Sequence, residues 1–359
     1  MATKHTYHTE GLKANGTERR LILCIDESLT DPEFGDQFSY SSSNILRLHN
    51  SLLRDSPNQR IIYIPRSSSL TRSPFSSYTC TEWQHLQRRD EAFALLVLNF
   101  RPDDKIYLFG AGSGAAVALN VARLIEQIGI PAALTYVCND EGRIIAIDHP
   151  ACTRKLQMRN SNHTPCGVQL LGLFDMLEQA HLPLGVGGVA YQAVNLVESQ
   201  DIPSCVERAH HLVALDDHRK EFSPALVNQR EGVEEIWFMG VHEALVGTGR
   251  ERMISDIPLS YMIDVSVEAG LEFHRDSLED VVPNSEGLGV LSCEEQRYFL
   301  TRWHREVAVQ MNGKRSDIKP RIHETVFRRM HHKSEYRPPN LLALNDHYQL
   351  VNSGTRGNS

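Results

Sequence analysis

Short apolar runs that stop at an acid, a proline, a glycine or a histidine recur along this chain, and they limit its fold more than any other feature. LILCID spans 21–26, RIIYIP 60–65, IYLFG 106–110, GVQLLGLFD 167–175 and EEIWFMGVH 234–242. Each is short for a helix and apolar at successive positions, as in a strand covered on both faces. Between them lie segments with helical apolar spacing: SNILRLHNSLLRD at 43–55, EWQHLQRRDEAFALLVL at 82–98, and a stretch over 114–128 closed by Gly129. Strands alternating with helices predict an α/β fold, a mostly parallel sheet with helices on both faces. AHHLVALDDHR is read as part of a further helix over 204–219. From Ile257 onward the pattern predicts a mainly helical C-terminal third, through PLSYMIDVSVEAGLEF and SCEEQRYFLTRWHREVAVQM. ALTYVC and RIIAID, within 132–148, fit either element type, and the Ser/Pro-rich SSSLTRSPFSSYTC at 67–80 reads as a loop. One domain is expected over 19–344, between polar tails, 1–18 and 345–359, that have little to bury and are expected to be disordered.

Composition narrows the partners. A net charge of −8 without a basic arm argues against nucleic-acid binding. The seven cysteines are odd in number and form no CxxC pair, which disfavours a disulfide framework or a thiolate metal site. The polar start MATKHTYHTEGLKANGTERR offers no signal peptide, and no apolar run is long enough to span a membrane. A cytoplasmic protein with no cofactor and no metal is the expectation.

Three strands end in residues that bear chemistry. IYLFG runs into GAGSGA, GLFD ends at Asp175, and FMGVH ends at His242. In an open α/β sheet, ligands gather beyond the carboxyl ends of the strands. The order serine, acid, histidine is that of an α/β-hydrolase triad, in which histidine takes the serine proton and the acid fixes its tautomer. Ser113 has the small neighbours Gly112 and Gly114, which a strained strand-to-helix turn requires, and the helix it opens could face an oxyanion. Such a turn could also hold a phosphate or simply pack. It lacks the GK[ST] ending of a phosphate loop and gives only G-x-G-x-G as a dinucleotide fingerprint. Asp175 could equally cap a helix, and His242 could be a hydrogen-bonded core residue.

Other candidates have plainer alternatives. His210-His211, placed in a helix, would point about 100° apart and could not easily share an ion, and His331-His332 have the same problem. HEALV at 242–246 begins like a zincin helix but lacks the second histidine. Asp26, at the end of the first strand, could orient an oxyanion loop or cap the next turn. Asp216-Asp217 with Arg219 reads as a helix-end ion pair. Trp237 and Phe238 read as core.

LFGAGSGA, GLFD, AHHLVALDDHRKEFSP and IWFMGVHE together resemble a family of α/β-hydrolase-like proteins. Its best understood members are the catalytic domains of type VI secretion phospholipase effectors. LILCIDES, PLSYMIDVSVEAGLEF, RIHETV and YRPPNL extend the likeness from Arg19 to Leu344. The resemblance implies Asp175 as triad acid and His242 as base; Asp26, Gly112, Gly114, Glu243 and His323 are expected around them, in the oxyanion or pocket region. The family elbow LFGFSRGA, laid on LFGAGSGA without gaps, puts its serine on Gly112 and its arginine on Ser113. GVHSDVGGG becomes GVHEALVGTG, so Ala244 replaces an acid beside Glu243, and the glycine of CDGT is missing from IDES. Two readings follow. In the first, the bend shifts by one residue and Ser113, Asp175 and His242 hydrolyse an ester or lipid-like substrate, the polar loop 67–80 favouring esters other than phospholipids. In the second, the chain is an inactive pseudo-hydrolase that binds a small molecule or a protein partner. A Ser113 hydroxyl within about 3.2 Å of a His242 nitrogen separates them. Acid–base chemistry by Asp175, His242 and Asp26 without hydrolysis is a third possibility.

Overall fold

Eight parallel strands form the central sheet. The structure, a computed structural model, describes residues 2–9, 18–27, 42–65, 80–148, 163–164, 167–183, 191–249, 252–281, 283 and 303–352. The strands are β1 (Arg20–Ile25), β2 (Gln59–Ile64), β3 (Lys105–Ala111), β4 (Val168–Phe174), β5 (Val206–Ala214), β6 (Val233–Phe238), β7 (Arg321–His323) and β8 (Gln349–Val351). Their spatial order is β2-β1-β3-β4-β5-β6-β7-β8. The chain leaves β1 toward β2 and leaves β3 the opposite way, toward β4. The switch point therefore lies between the carboxyl ends of β1 and β3, where such sheets open a crevice.

Side-chain alternation divides the strands between two cores. Leu21, Leu23 and Ile25 of β1 join Ile106 and Leu108 of β3 on one face, under α2 (Cys80–Asn99) and α3 (Ser113–Ile128). Ile22 and Cys24 join Tyr107 and Phe109 on the other, beside Ile45 and Leu48 of α1 (Asn44–Ser51). α1 starts at Ser43, whose hydroxyl accepts from the Leu46 N–H at 3.1 Å, a side-chain cap on an otherwise orphan donor. The second face is completed by α5 (Arg252–Glu268), which brings Ile254, Ile257, Met262 and Ile263 down onto the sheet. Between β6 and α5 lies the short α4 (His242–Val246), and α6 (Glu324–His332) follows β7.

Several expectations need correction. The segment 204–219 is not a helix: Val206–Ala214 is β5, hydrogen-bonded between β4 and β6. A central strand buried on both faces carries no polar alternation, so its apolar run cannot be told from a buried helix by period alone. As strand neighbours, His210 and His211 face opposite sides, His210 toward Tyr261 and His211 toward Glu235. ALTYVC and RIIAID are the antiparallel strands Ala133–Cys138 and Ile144–Asp148. Thr3–His8, expected to be loose, pairs with Ala133–Cys138, and Gln349–Val351 extends the main sheet as β8. The C-terminal third has α5 and α6 but also β7, β8 and the hairpin Val309–Met311 with Lys314–Ser316. Residues 67–79, expected to form a loop, and residues 292–302, expected to be helical, lie outside the described residues. Among the described residues no helix is long and apolar enough to cross a membrane.

Candidate active site

At the β3–α3 junction the bend falls on Gly112, with φ 52° and ψ −118°. That backbone is one that side chains with L configuration rarely adopt, and glycine reaches it without a steric penalty. Ser113 is already the first residue of α3 and is buried. The close fit behind the bend explains Gly114: a Cβ there would stand 2.5 Å from the carbonyl oxygens of Ile25 and Asp26. Thus α3 begins pressed against the end of β1.

His242 lies beside this bend. Its backbone N–H donates to Asp217 Oδ2 at 3.0 Å, and its ring packs against Phe222, with centroids 4.9 Å apart. Nδ1 meets Asp175 Oδ2 at 2.6 Å. Nε2, the nitrogen that would face a nucleophile, meets Glu27 Oε1 at 3.0 Å. Both ring nitrogens are therefore held by carboxylates.

Glu27 fills the space beside the bend. A Cβ built on Gly112 would lie 2.2 Å from Glu27 Oε1 and 3.2 Å from His242 Cε1. Asp26 sets this placement. Its Oδ1 accepts the Glu27 N–H at 2.8 Å, and its Oδ2 accepts the hydroxyls of Ser43 at 2.7 Å and Tyr63 at 2.6 Å. Arg88, from α2, donates to the Asp26 carbonyl at 2.6 Å. Asp26 thus fixes the chain at the end of β1, and the following residue supplies the carboxylate that reaches the imidazole.

Asp175 follows β4 with φ 43° and is completely buried. It accepts the Ala214 N–H at 2.9 Å and two bonds from Arg305, at 2.7 and 3.0 Å. Arg305 also donates to the carbonyls of Ala214, at 2.9 Å, and Phe222. A second ion chain flanks the first: Arg219 binds Asp217 and, through two 2.7 Å bonds, Glu243. The pairing of Asp217 with Arg219 was legible, although it sits after a strand and not at a helix end. His323 caps α6, its Nδ1 2.8 Å from Thr325 Oγ1, and its ring stacks on Phe238. No hydrogen bond joins it to His242.

The electrostatics follow from burial and pairing. Burial would discharge His242, but the Glu27 and Asp175 carboxylates outweigh it and push its pKa up to about 10. Burial would likewise raise Asp175, yet Arg305 and His242 hold it well below the usual carboxylate range. For Asp217 the Arg219 guanidinium overcomes burial and brings the value down to about 2. Burial, which Glu324 only partly offsets, pushes His323 down to about 4. The two carboxylates favour the charged imidazolium form of His242.

The structure brings Asp175, His242, Gly112 and Asp26 to one edge of the sheet, with Ser113 one residue beyond the bend and Glu243 tied to Arg219. Glu27 and Arg305 were missed. Glu27 was visible as the second acid in LILCIDES but was overshadowed by Asp26, and Arg305 lay within a segment read as a helix. Among the described residues no cluster of three or more histidines, cysteines and acids could hold a metal ion.

The family model described as "T6SS, Phospholipase effector Tle1-like, catalytic domain" matches residues 19–265. An uncharacterized protein of Saccharomyces cerevisiae is 32% identical over 127 residues, covering 31% of this chain and 18% of its own length. Among solved structures, an uncharacterized protein from Pseudomonas aeruginosa gives a TM-score of 0.48 at 15% identity, over 78% of this chain and 50% of that one. The Tle1 effector bound to the VgrG spike of the type 6 secretion system gives 0.42 at 14% identity, over 83% and 85%. The chain spans less than a fifth of the yeast relative (18%) and half of the Pseudomonas protein (50%).

Proposed function

The chain belongs to the family of Tle1-like phospholipase effector catalytic domains, and from that membership we propose that it is a pseudo-hydrolase. In this reading it holds an ester- or lipid-like molecule at the triad edge of the sheet and does not acylate a serine. One observation carries the proposal: a glycine stands at the bend, and the Glu27 carboxylate fills the nucleophile's space 3.0 Å from His242. An acyl transfer needs a nucleophile beside a histidine able to take its proton. Here the bend offers no side chain, and the imidazole already carries its proton. The lipid-like character of the ligand rests on family membership.

An active-serine fluorophosphonate probe tests the first half. The native protein is expected to stay unlabelled. Labelling that disappears in Ser113→Ala would overturn the proposal and restore a serine hydrolase built from Ser113, Asp175 and His242. A soluble short-chain phosphatidylcholine tests the second half: it should raise the melting temperature without release of fatty acid. No shift would remove the ligand from the reading.

A further inference from the structure

Glu27 Oε1 is tied to His242 Nε2 at 3.0 Å, while among the described residues Oε2 makes no hydrogen bond. The carboxylate adjoins Gly112 and hence the start of α3. First-turn N–H groups there lack intrahelical acceptors and favour negative charge. A carboxylate with one oxygen anchored to His242, beside a histidine–aspartate pair, has the parts of a two-step covalent hydrolysis. The electrophile it suits is saturated carbon.

We propose that Glu27 is a nucleophile toward primary alkyl halides, and that this site hydrolyses them through a glutamyl ester. In the first step Oε2 attacks the carbon, the carbon–halogen bond breaks, and halide departs with the bonding pair. Backside displacement places the leaving atom on the far side of the carbon from the attacking Oε2, away from the carboxylate whose other oxygen His242 holds. The substrate must therefore carry a group that leaves as an unprotonated anion, which a halide does and an alkoxide does not. Esterification removes the Glu27 charge, the strongest influence holding the proton on His242. The imidazolium then releases that proton to solvent.

In the second step neutral His242 takes a proton from water, and the hydroxide oxygen adds to the ester carbonyl carbon. The tetrahedral oxyanion collapses, breaking the acyl–oxygen bond. The departing alkoxide takes the proton of the newly formed carboxylic acid and leaves as an alcohol. Glu27 returns as carboxylate and His242 as imidazolium, held by Asp175. The sum is alkyl halide plus water giving alcohol, halide and one proton. Asp175 and Arg305 touch no reacting atom and act as positioning residues.

The test uses the full chain with 1-iodobutane. His242→Gln keeps a donor for Oε1 but cannot act as base, so the ester should accumulate as one butyl group on the peptide containing Glu27. Native protein should release iodide catalytically, and in ¹⁸O-water the label should enter the Glu27 carboxylate. Glu27→Gln should lose both iodide release and, in the His242→Gln background, the adduct. A His242→Gln protein that melts cooperatively yet carries no butyl group on Glu27 overturns the inference. So does a butyl group found only on cysteine. Neither result bears on fluorophosphonate labelling, so the absence of serine acylation stands or falls separately.

Discussion

Glu27 and Gly112 share one volume: the carboxylate oxygen of the first lies 2.2 Å from where the second would carry a Cβ. Each residue is therefore permitted by the other. A serine at the bend would force this carboxylate to move, and the carboxylate where it stands leaves no room for a serine.

Gly112→Ser alone should be destabilising by about 2–4 kcal/mol, the sum of an overpacked contact and a strained backbone. Adding Glu27→Ala clears the contact and leaves only the backbone strain. The double variant should regain about half of the lost stability in urea unfolding and react with a fluorophosphonate. A double variant no more stable than the single one would show that the two residues do not compete for space.

His242 should stay charged far above the usual histidine range. Its folded pKa is raised from 6.5 to about 10, so its contribution to stability is complete below about pH 6.5 and is lost as pH rises through about 10. The ring resonance followed by NMR against pH gives the midpoint directly. Glu27→Gln should move it downward, because the Glu27 charge is the larger of the two opposing burial. A native midpoint near 7 would contradict the ion pair.

Arg305→Met strips the completely buried Asp175 of a bidentate partner. Breaking one side of a buried pair leaves a charge without compensation, at a cost of about 3–5 kcal/mol. Asp175→Asn in the same background should recover part of it by removing that charge. Urea titration of the three proteins decides. A loss under about 1 kcal/mol for Arg305→Met would mean that solvent reaches Asp175.

Asp26→Asn should cost about 1–3 kcal/mol, since one of the oxygens that accept from Ser43, Tyr63 and the Glu27 N–H becomes a donor. A purely structural defect would leave His242 unchanged. If Asp26 positions Glu27, the His242 midpoint falls as well, and Asp26→Glu should not restore it, because the longer side chain cannot reproduce the contact with the adjacent N–H.

The alternation of apolar strands and helices was sufficient for the α/β class, because parallel strands must be covered on both faces and so leave continuous apolar runs. The same property concealed β5, whose HHLVA carries no face preference. Asp175 and His242 could be read because each closes such a run, and strand ends are where an α/β sheet keeps its chemistry. Position along the chain could not reveal Glu27. Which of two adjacent acids reaches the imidazole depends on Asp26 being held by Ser43 and Tyr63, contacts 17 and 37 residues away. Arg305 is farther still, 130 residues from Asp175, with no local pattern to announce it. β7 and β8, three residues each, are too short for periodicity to register.

That last pair matters for handling the protein. β8 satisfies the outer peptide groups of β7, whose central Ile322 has no exposure. A version cut before Gln349 would present a bare β7 margin to other copies, and unpaired strand margins recruit strands from neighbouring molecules. Trimming an inconspicuous polar ending would therefore favour self-association.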